Sequence, residues 1–127
     1  MEHDTTVPLL PVVHVFSDAD GVSHITDKQI PLLEPAAARL THFTKAKSVA
    51  FRILPAGFFN DWHTTPSRRY IIILSGRVEV GASDGQVRQT GPGCVTLHED
   101  IEGKGHTTRV AGDSPAIVAF IPLEDDK

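Results

Sequence analysis

The 127-residue chain has a single cysteine, Cys94, so no internal disulfide can form. No CxxC-like pattern surrounds it to activate the thiol, and it reads as a small packed residue rather than a nucleophile. No apolar run approaches the ~20 residues of a bilayer-spanning helix, so a membrane-spanning chain is not expected. Positive charge is also short: 12 Lys and Arg against 16 Asp and Glu give a formal net charge of −4. That is the wrong sign for neutralising phosphates, so nucleic acid is not an expected partner, and neither is a membrane. The opening MEHDTTVPLL lacks the basic, then apolar, then small-residue order of a secretory signal, and the cytoplasm is the expected location. GxSxG, HExxH, CxxC and EF-hand patterns are absent; GKGHTT at 103–108 lacks the first glycine of a phosphate-binding P-loop.

What is present favours strands. Val, Ile and Thr number 12, 9 and 11, while 10 Gly and 9 Pro are scattered at short intervals. Extended runs are expected at 12–16, 22–26, 48–54, 69–74, 77–82, 85–90, 94–98, 106–110 and 116–122. SDADG, Ser75-Gly76, Asp84-Gly85 and Gly91-Pro92-Gly93 supply the reversals between them. The only stretch with helical character is EPAAARLTHF at 34–43, where Pro35 suits a first turn and three alanines follow. Evenly spaced strands with tight turns predict an all-β sandwich or closed barrel in one domain covering 1–127. Residues 1–6 and 123–127 are expected to be loose ends.

The seven histidines divide by placement. His3, His14 and His42 read as surface or hydrogen-bonded structural residues. His63 precedes a strongly apolar strand and follows the only tryptophan, at an expected cavity mouth. His106 begins HTTRV, where alternation puts His106, Thr108 and Val110 on one face. Phe58, Phe59, Trp62 and Tyr70 would line that mouth for a small planar or apolar molecule, with Thr65 beside them. Alternation from His63 also turns Arg69 inward and Arg68 outward. His98, Glu99 and Asp100 fall in the segment that closes the barrel mouth, and His24 lies on an early strand that can face inward.

GFFNDWHTTPSRRYIIILSG followed by GPGCVTLHEDIEGKGH resembles the two motifs of the cupin superfamily, over residues 57–106. The resemblance implies a cupin double-stranded β-helix, a jelly-roll barrel of about 22–122 with one short helical segment. It places Gly57, His63 and Gly76 in the first motif, and Pro92, Gly93 and His106 in the second. Where the family pattern has its second histidine this chain has Thr65, and where it has glutamate this chain has Arg69, or Tyr70 with one residue of slack. Only His63 and His106 of the four customary metal ligands are retained. A cation at position 69 repels a metal, so the usual three-His-one-Glu centre is excluded.

Two kinds of enzyme follow. In one, Arg69 holds a carboxylate or enolate, and His63 and His106 move protons, since imidazole as a residue type titrates near neutrality. That suits an isomerase, cyclase or lyase with no certain cofactor. In the other, His63, His106 and a residue from 98–100 rebuild a centre for Fe, Mn, Ni or Zn, as in a metal-dependent oxygenase or isomerase. A non-catalytic binding module is a third reading. The expected partner is a small organic substrate, anionic or aromatic, contacted by Phe58, Trp62, Thr65, Tyr70, His98, Asp100 and Thr108. Single-domain cupins pair through sheet edges and swapped N-terminal strands, so a homodimer is expected.

Overall fold

A computed structural model describes residues 9–33 and 39–124. Ten strands follow one another: β1 Leu9–Ser17, β2 Ser23–Pro31, β3 Ala50–Leu54, β4 Phe59–His63, β5 Arg69–Ser75, β6 Arg77–Ala82, β7 Val87–Thr90, β8 Val95–Glu99, β9 His106–Ala111 and β10 Ala116–Pro122. They form a six-stranded sheet in the order β2-β1-β8-β5-β10-β3 and a four-stranded sheet in the order β4-β9-β6-β7. The two sheets face each other as the all-β jelly-roll barrel that the resemblance implied.

Period-two alternation decides which side chains meet between the sheets. Val13 and Val15 on β1, Leu54 on β3, Ile73 on β5, Val78 and Val80 on β6, Val110 on β9 and Val118 on β10 form the main core cluster. Their neighbours on the other face of the six-stranded sheet, Val12, Leu97 and Tyr70, pack in a second cluster with Leu123. Turns are built by residues that tolerate them. Gly76 joins β5 to β6 at φ +78°, and a Cβ there would lie 2.6 Å from the Ala116 Cα, so both conformation and space require glycine.

Four expectations about the fold need correction or qualification. The sheet starts at Leu9, not near residue 22, because β1 pairs antiparallel with β2 and parallel with β8. Leu123 is buried, and its N–H donates to the Arg68 carbonyl, so the chain is packed through that residue. Residues 1–6 and 125–127 lie outside the described residues. Of the expected helix over 34–43, residues 34–38 lie outside the described residues; beyond them Leu40 bridges Leu33 instead of coiling. A single turn of alanines is too short to hold a helix unaided, and no helix occurs among the described residues. Finally, β4 was not expected from the sequence: FNDWH has aromatic residues but no β-branched one, and it is held by β9 through a register shift between Asn60 and His63.

Candidate functional site

A cavity of about 260 Å³ lies between the sheets. Of the residues singled out in the sequence, Phe58, His63, Thr65, Arg69, His98, His106 and Thr108 line it. Phe59 and Trp62 do not: they are 55% and 38% exposed, and the Lys104 ammonium lies 4.5 Å from the Trp62 ring centroid. Tyr70 alternates away from Arg69 into the second cluster. Asp100 stands behind the lining, fully buried, and acts on the cavity through His106.

β4 and β9 bring the two motif histidines together, since His63 pairs with His106 in the ladder. The segment between β8 and β9 makes this fit. Gly105 has φ +79°, and a Cβ on it would overlap the His63 carbonyl. His98 enters from β8, opposite Arg69 on β5. The ring centroids of His63 and His106 are 4.4 Å apart and those of His98 and His106 are 4.7 Å apart, so three imidazoles are grouped around His106.

Each imidazole is held differently. His63 Nδ1 donates to the Asp61 carbonyl at 2.6 Å, which leaves Nε2 as the acceptor, 3.4 Å from the Asn60 amide nitrogen. His106 Nδ1 donates to Asp100 Oδ2 in a short hydrogen bond. Asp100 Oδ1 accepts from the Thr65 hydroxyl at 2.8 Å, and the Asp100 carbonyl accepts the Thr65 N–H at 3.1 Å. Thr65, at the position of a customary ligand, therefore serves as a clamp on this carboxylate. Burial pushes the Asp100 carboxyl up, but the hydrogen bond and charge of His106, the charge of His98 and the Thr65 hydroxyl outweigh it and hold the group below its ordinary value.

His98, expected in the segment that closes the barrel mouth, is not a rim residue but is 3% exposed. Burial first, then the neighbouring His106, depress its pKa to about 3, so it is neutral at neutral pH. Its Nδ1 is buried with no hydrogen-bond partner, 3.9 Å from Asp100 Oδ1. Asp100 is likewise not part of a solvated acidic turn. Glu99, between them, faces away and pairs with His14 and Arg68. His24 does not face inward either; it bridges Asp18 and Asp84 at the surface.

Arg69 reaches the cavity with its Nε donating to the Ser67 carbonyl at 3.1 Å and a terminal nitrogen donating to the Ser67 hydroxyl at 3.3 Å. Desolvation lowers its pKa from an ordinary value so high that the guanidinium stays charged. Sequence reading missed Arg52, Asn60 and Phe120 in the lining. The available signal for Arg52 was a lone charge in the apolar run AFRIL, alternating with Phe51 and Ile53. No Asp or Glu is among the lining residues, although the chain as a whole carries net negative charge. Cys94 is half-buried against the core, and burial raises its thiol pKa, which leaves it unreactive.

His98, Asp100 and His106 offer two imidazole nitrogens and a carboxylate oxygen, all within 4.8 Å of one another. This donor set suits a divalent transition ion, and the unpartnered His98 Nδ1 is a free ligand atom within it. His63 is not a member of this cluster.

No family model and no curated protein matches the chain. Among solved structures it is similar to the DMSP lyase DddQ from Ruegeria pomeroyi DSS-3, at 22% identity and TM-score 0.50 over 62% of this chain. The chain spans 39% of that protein's length. It is also similar to a cupin domain from Bordetella pertussis Tohama I, at 14% identity and TM-score 0.49, covering 97% of this chain and 100% of that one. Likeness at these identities is likeness of fold, and the fold by itself does not choose a reaction.

Proposed function

We propose that the cavity binds a small organic anion and that His106 moves a proton on it, in isomerase, cyclase or lyase chemistry. The observation that carries this reading is the buried Asp100–His106 pair beside a cavity whose charged lining is entirely cationic. Asp100 keeps the proton of His106 on Nδ1 and stabilises the imidazolium when it forms, which leaves Nε2 as the base. Asp100 is thus a positioning residue. Nε2 removes a proton from a carbon next to the substrate's carboxylate or carbonyl, and the C–H electron pair moves onto that oxygen. Arg69 holds the resulting oxyanion. The imidazolium then returns the proton to another atom, directly or by way of His63 Nε2, which accepts it from His106 first; in a lyase the proton stays on His106 and a leaving group departs with the electron pair.

The unpartnered Nδ1 of His98 favours a second reading, in which His98, Asp100 and His106 hold Fe, Mn, Ni or Zn. A bound ion would supply Lewis-acid polarisation of a substrate oxygen. In either case Arg69 orients the anionic end, and His63 carries protons near it.

Solvent deuterium exchange tests the proposal across a whole class of candidate substrates at once. Tag-free protein is incubated in D2O with a panel of 2-oxo, 3-hydroxy and unsaturated carboxylic acids, and exchange at carbon is followed by proton NMR. The expected result is enzyme-dependent exchange that falls about 100-fold or more in His106→Gln. Exchange that survives chelation supports the first reading, and loss on chelation with recovery on adding a metal supports the second. Binding without exchange across the panel would leave a binding module. Exchange unchanged in both His63→Ala and His106→Ala would end the proposal.

A further inference from the structure

The cavity carries a second cation that the proton-transfer reading does not use. Arg52 lines it from β3, with its guanidinium carbon 5.4 Å from the centroid of the Phe58 ring. Arg69 lines it from β5, with its guanidinium carbon 6.0 Å from the centroid of Phe120. Neither arginine has a carboxylate within ion-pairing distance among the described residues, whereas Arg68, Arg88 and Arg109 all do. Arg69, half-buried, and Arg52, at the exposed rim, thus give one acid-free cavity two places for anionic groups.

Strand register places them at opposite ends of the inner face. β10 lies between β3 and β5, with Arg52 opposite Val118 and Arg69 opposite Pro122. Phe120 occupies the row between them, opposite Ala50 on one side and Ile71 on the other. The two backbones are therefore separated by about 13 Å along the strands and about 10 Å across them. Two long side chains reaching inward across that distance leave room for a short chain of methylenes, and Phe120 and Ile71 give that chain an apolar wall.

We infer that the ligand is a dicarboxylate, with one carboxylate on Arg69 beside the three imidazoles, the other on Arg52, and its methylenes against Phe120. The inference rests on the reading above that Arg69 holds an anion. It adds what selects the ligand: Arg69 serves the reacting end, and Arg52 measures length and second charge. Arg52 is exposed at the cavity rim, so its replacement leaves the core intact.

Isothermal titration with glutarate and adipate against valerate and hexanoate tests this. The diacids are expected to bind about tenfold or more tightly than the monoacids of equal length, the worth of one charge-assisted contact. Arg52→Gln should abolish that preference without changing monoacid affinity, and Arg52→Lys should restore part of it. Arg69→Gln should weaken both series. Equal binding of mono- and diacids, or a preference that survives Arg52→Gln, overturns the two-ended ligand; if Arg69→Gln still weakens every acid, the anion-holding reading of Arg69 stands by itself. Absence of binding by all four acids overturns the inference, and binding unaffected by Arg69→Gln overturns the reading beneath it as well.

Discussion

His106 Nδ1 and Asp100 Oδ2 share a short, buried hydrogen bond across only six residues of sequence. Asp100 directly follows β8, and from it the chain reverses through 101–105 and enters β9 on the opposite sheet. The carboxylate thus belongs to one sheet's end and the imidazole to the other's, and their bond ties the two sheets together at the cavity. Thr65, from the segment after β4, takes no part in the chemistry but holds the second carboxylate oxygen.

Asp100→Asn should remove the downfield imidazole proton expected in the NMR spectrum for Nδ1 of His106. It should also lower carbon-proton exchange by about 100-fold or more while substrate affinity, set by Arg69, changes little. An unchanged exchange rate with the proton signal gone would deny Asp100 its positioning role.

Gly105→Ala should destabilise the fold and separate His63 from His106. The left-handed conformation costs an alanine roughly 1–2 kcal/mol, and the overlap with the His63 carbonyl adds to it. A fall in Tm of several degrees is expected by differential scanning calorimetry. Gly57→Ala is the control for the left-handed conformation alone, because nothing lies within 4 Å of a Cβ there. It should cost less.

The bridge from His24 to Asp18 and Asp84 ties the β1–β2 turn to the β6–β7 turn. Asp18, by its hydrogen bond, raises the His24 pKa, with Asp84 adding to the effect; both carboxylates are lowered, Asp18 chiefly by His24 and Asp84 by the Gln86 backbone N–H. A raised histidine stabilises fully below its unfolded value of about 6.5, and that contribution is lost as pH rises through the folded value. The lowered carboxylates contribute above about 3.8 and lose their contribution as pH falls through their folded values. His24→Asn should therefore lower Tm at pH 5.5 and leave it nearly unchanged at pH 9. Equal losses at both values would show that packing, not charge, is responsible.

The outer face of edge strand β3 shows Phe51 and Ile53, 69% and 67% exposed, continued by Leu74 and Ile117. It carries no outward charge, because Arg52 turns into the cavity, and such an edge is open to pairing with a second strand. Of the two edges of the six-stranded sheet, β2 and β3, the expected homodimer is assigned to β3 because of these exposed apolar side chains. Light scattering at micromolar concentration should give twice the chain mass, and Phe51→Lys with Ile53→Glu should give the monomer. A wild-type monomer would remove the dimer from consideration.

Much of the architecture is legible locally. Runs such as RYIIIL, RVEVGA and AIVAFIP combine β-branched residues with nearby glycine turns, and their strands lie within a residue or two of the expected bounds. Period-two alternation separates Arg69, in the cavity, from Arg68, paired with Glu99 on the other side. These follow because side-chain direction along a strand depends on neighbours in sequence.

The site itself depends on pairings between distant strands, which no local pattern encodes. HED at 98–100 has the composition of a polar turn; only the β8–β5 pairing and the closure of the second sheet bury His98 and Asp100 on either side of an outward Glu99. FNDWH becomes β4 only because β9 is there to hold it. Arg52 looks like an ordinary surface charge until β3 docks on β10 and sets it at the rim of the cavity. The sequence by itself determined most of the strand segments and which way their side chains alternate; tertiary structure decided β4 and which strands are neighbours, and hence which imidazoles, carboxylate and guanidiniums share a cavity, because that choice rests on long-range burial rather than on local backbone preference.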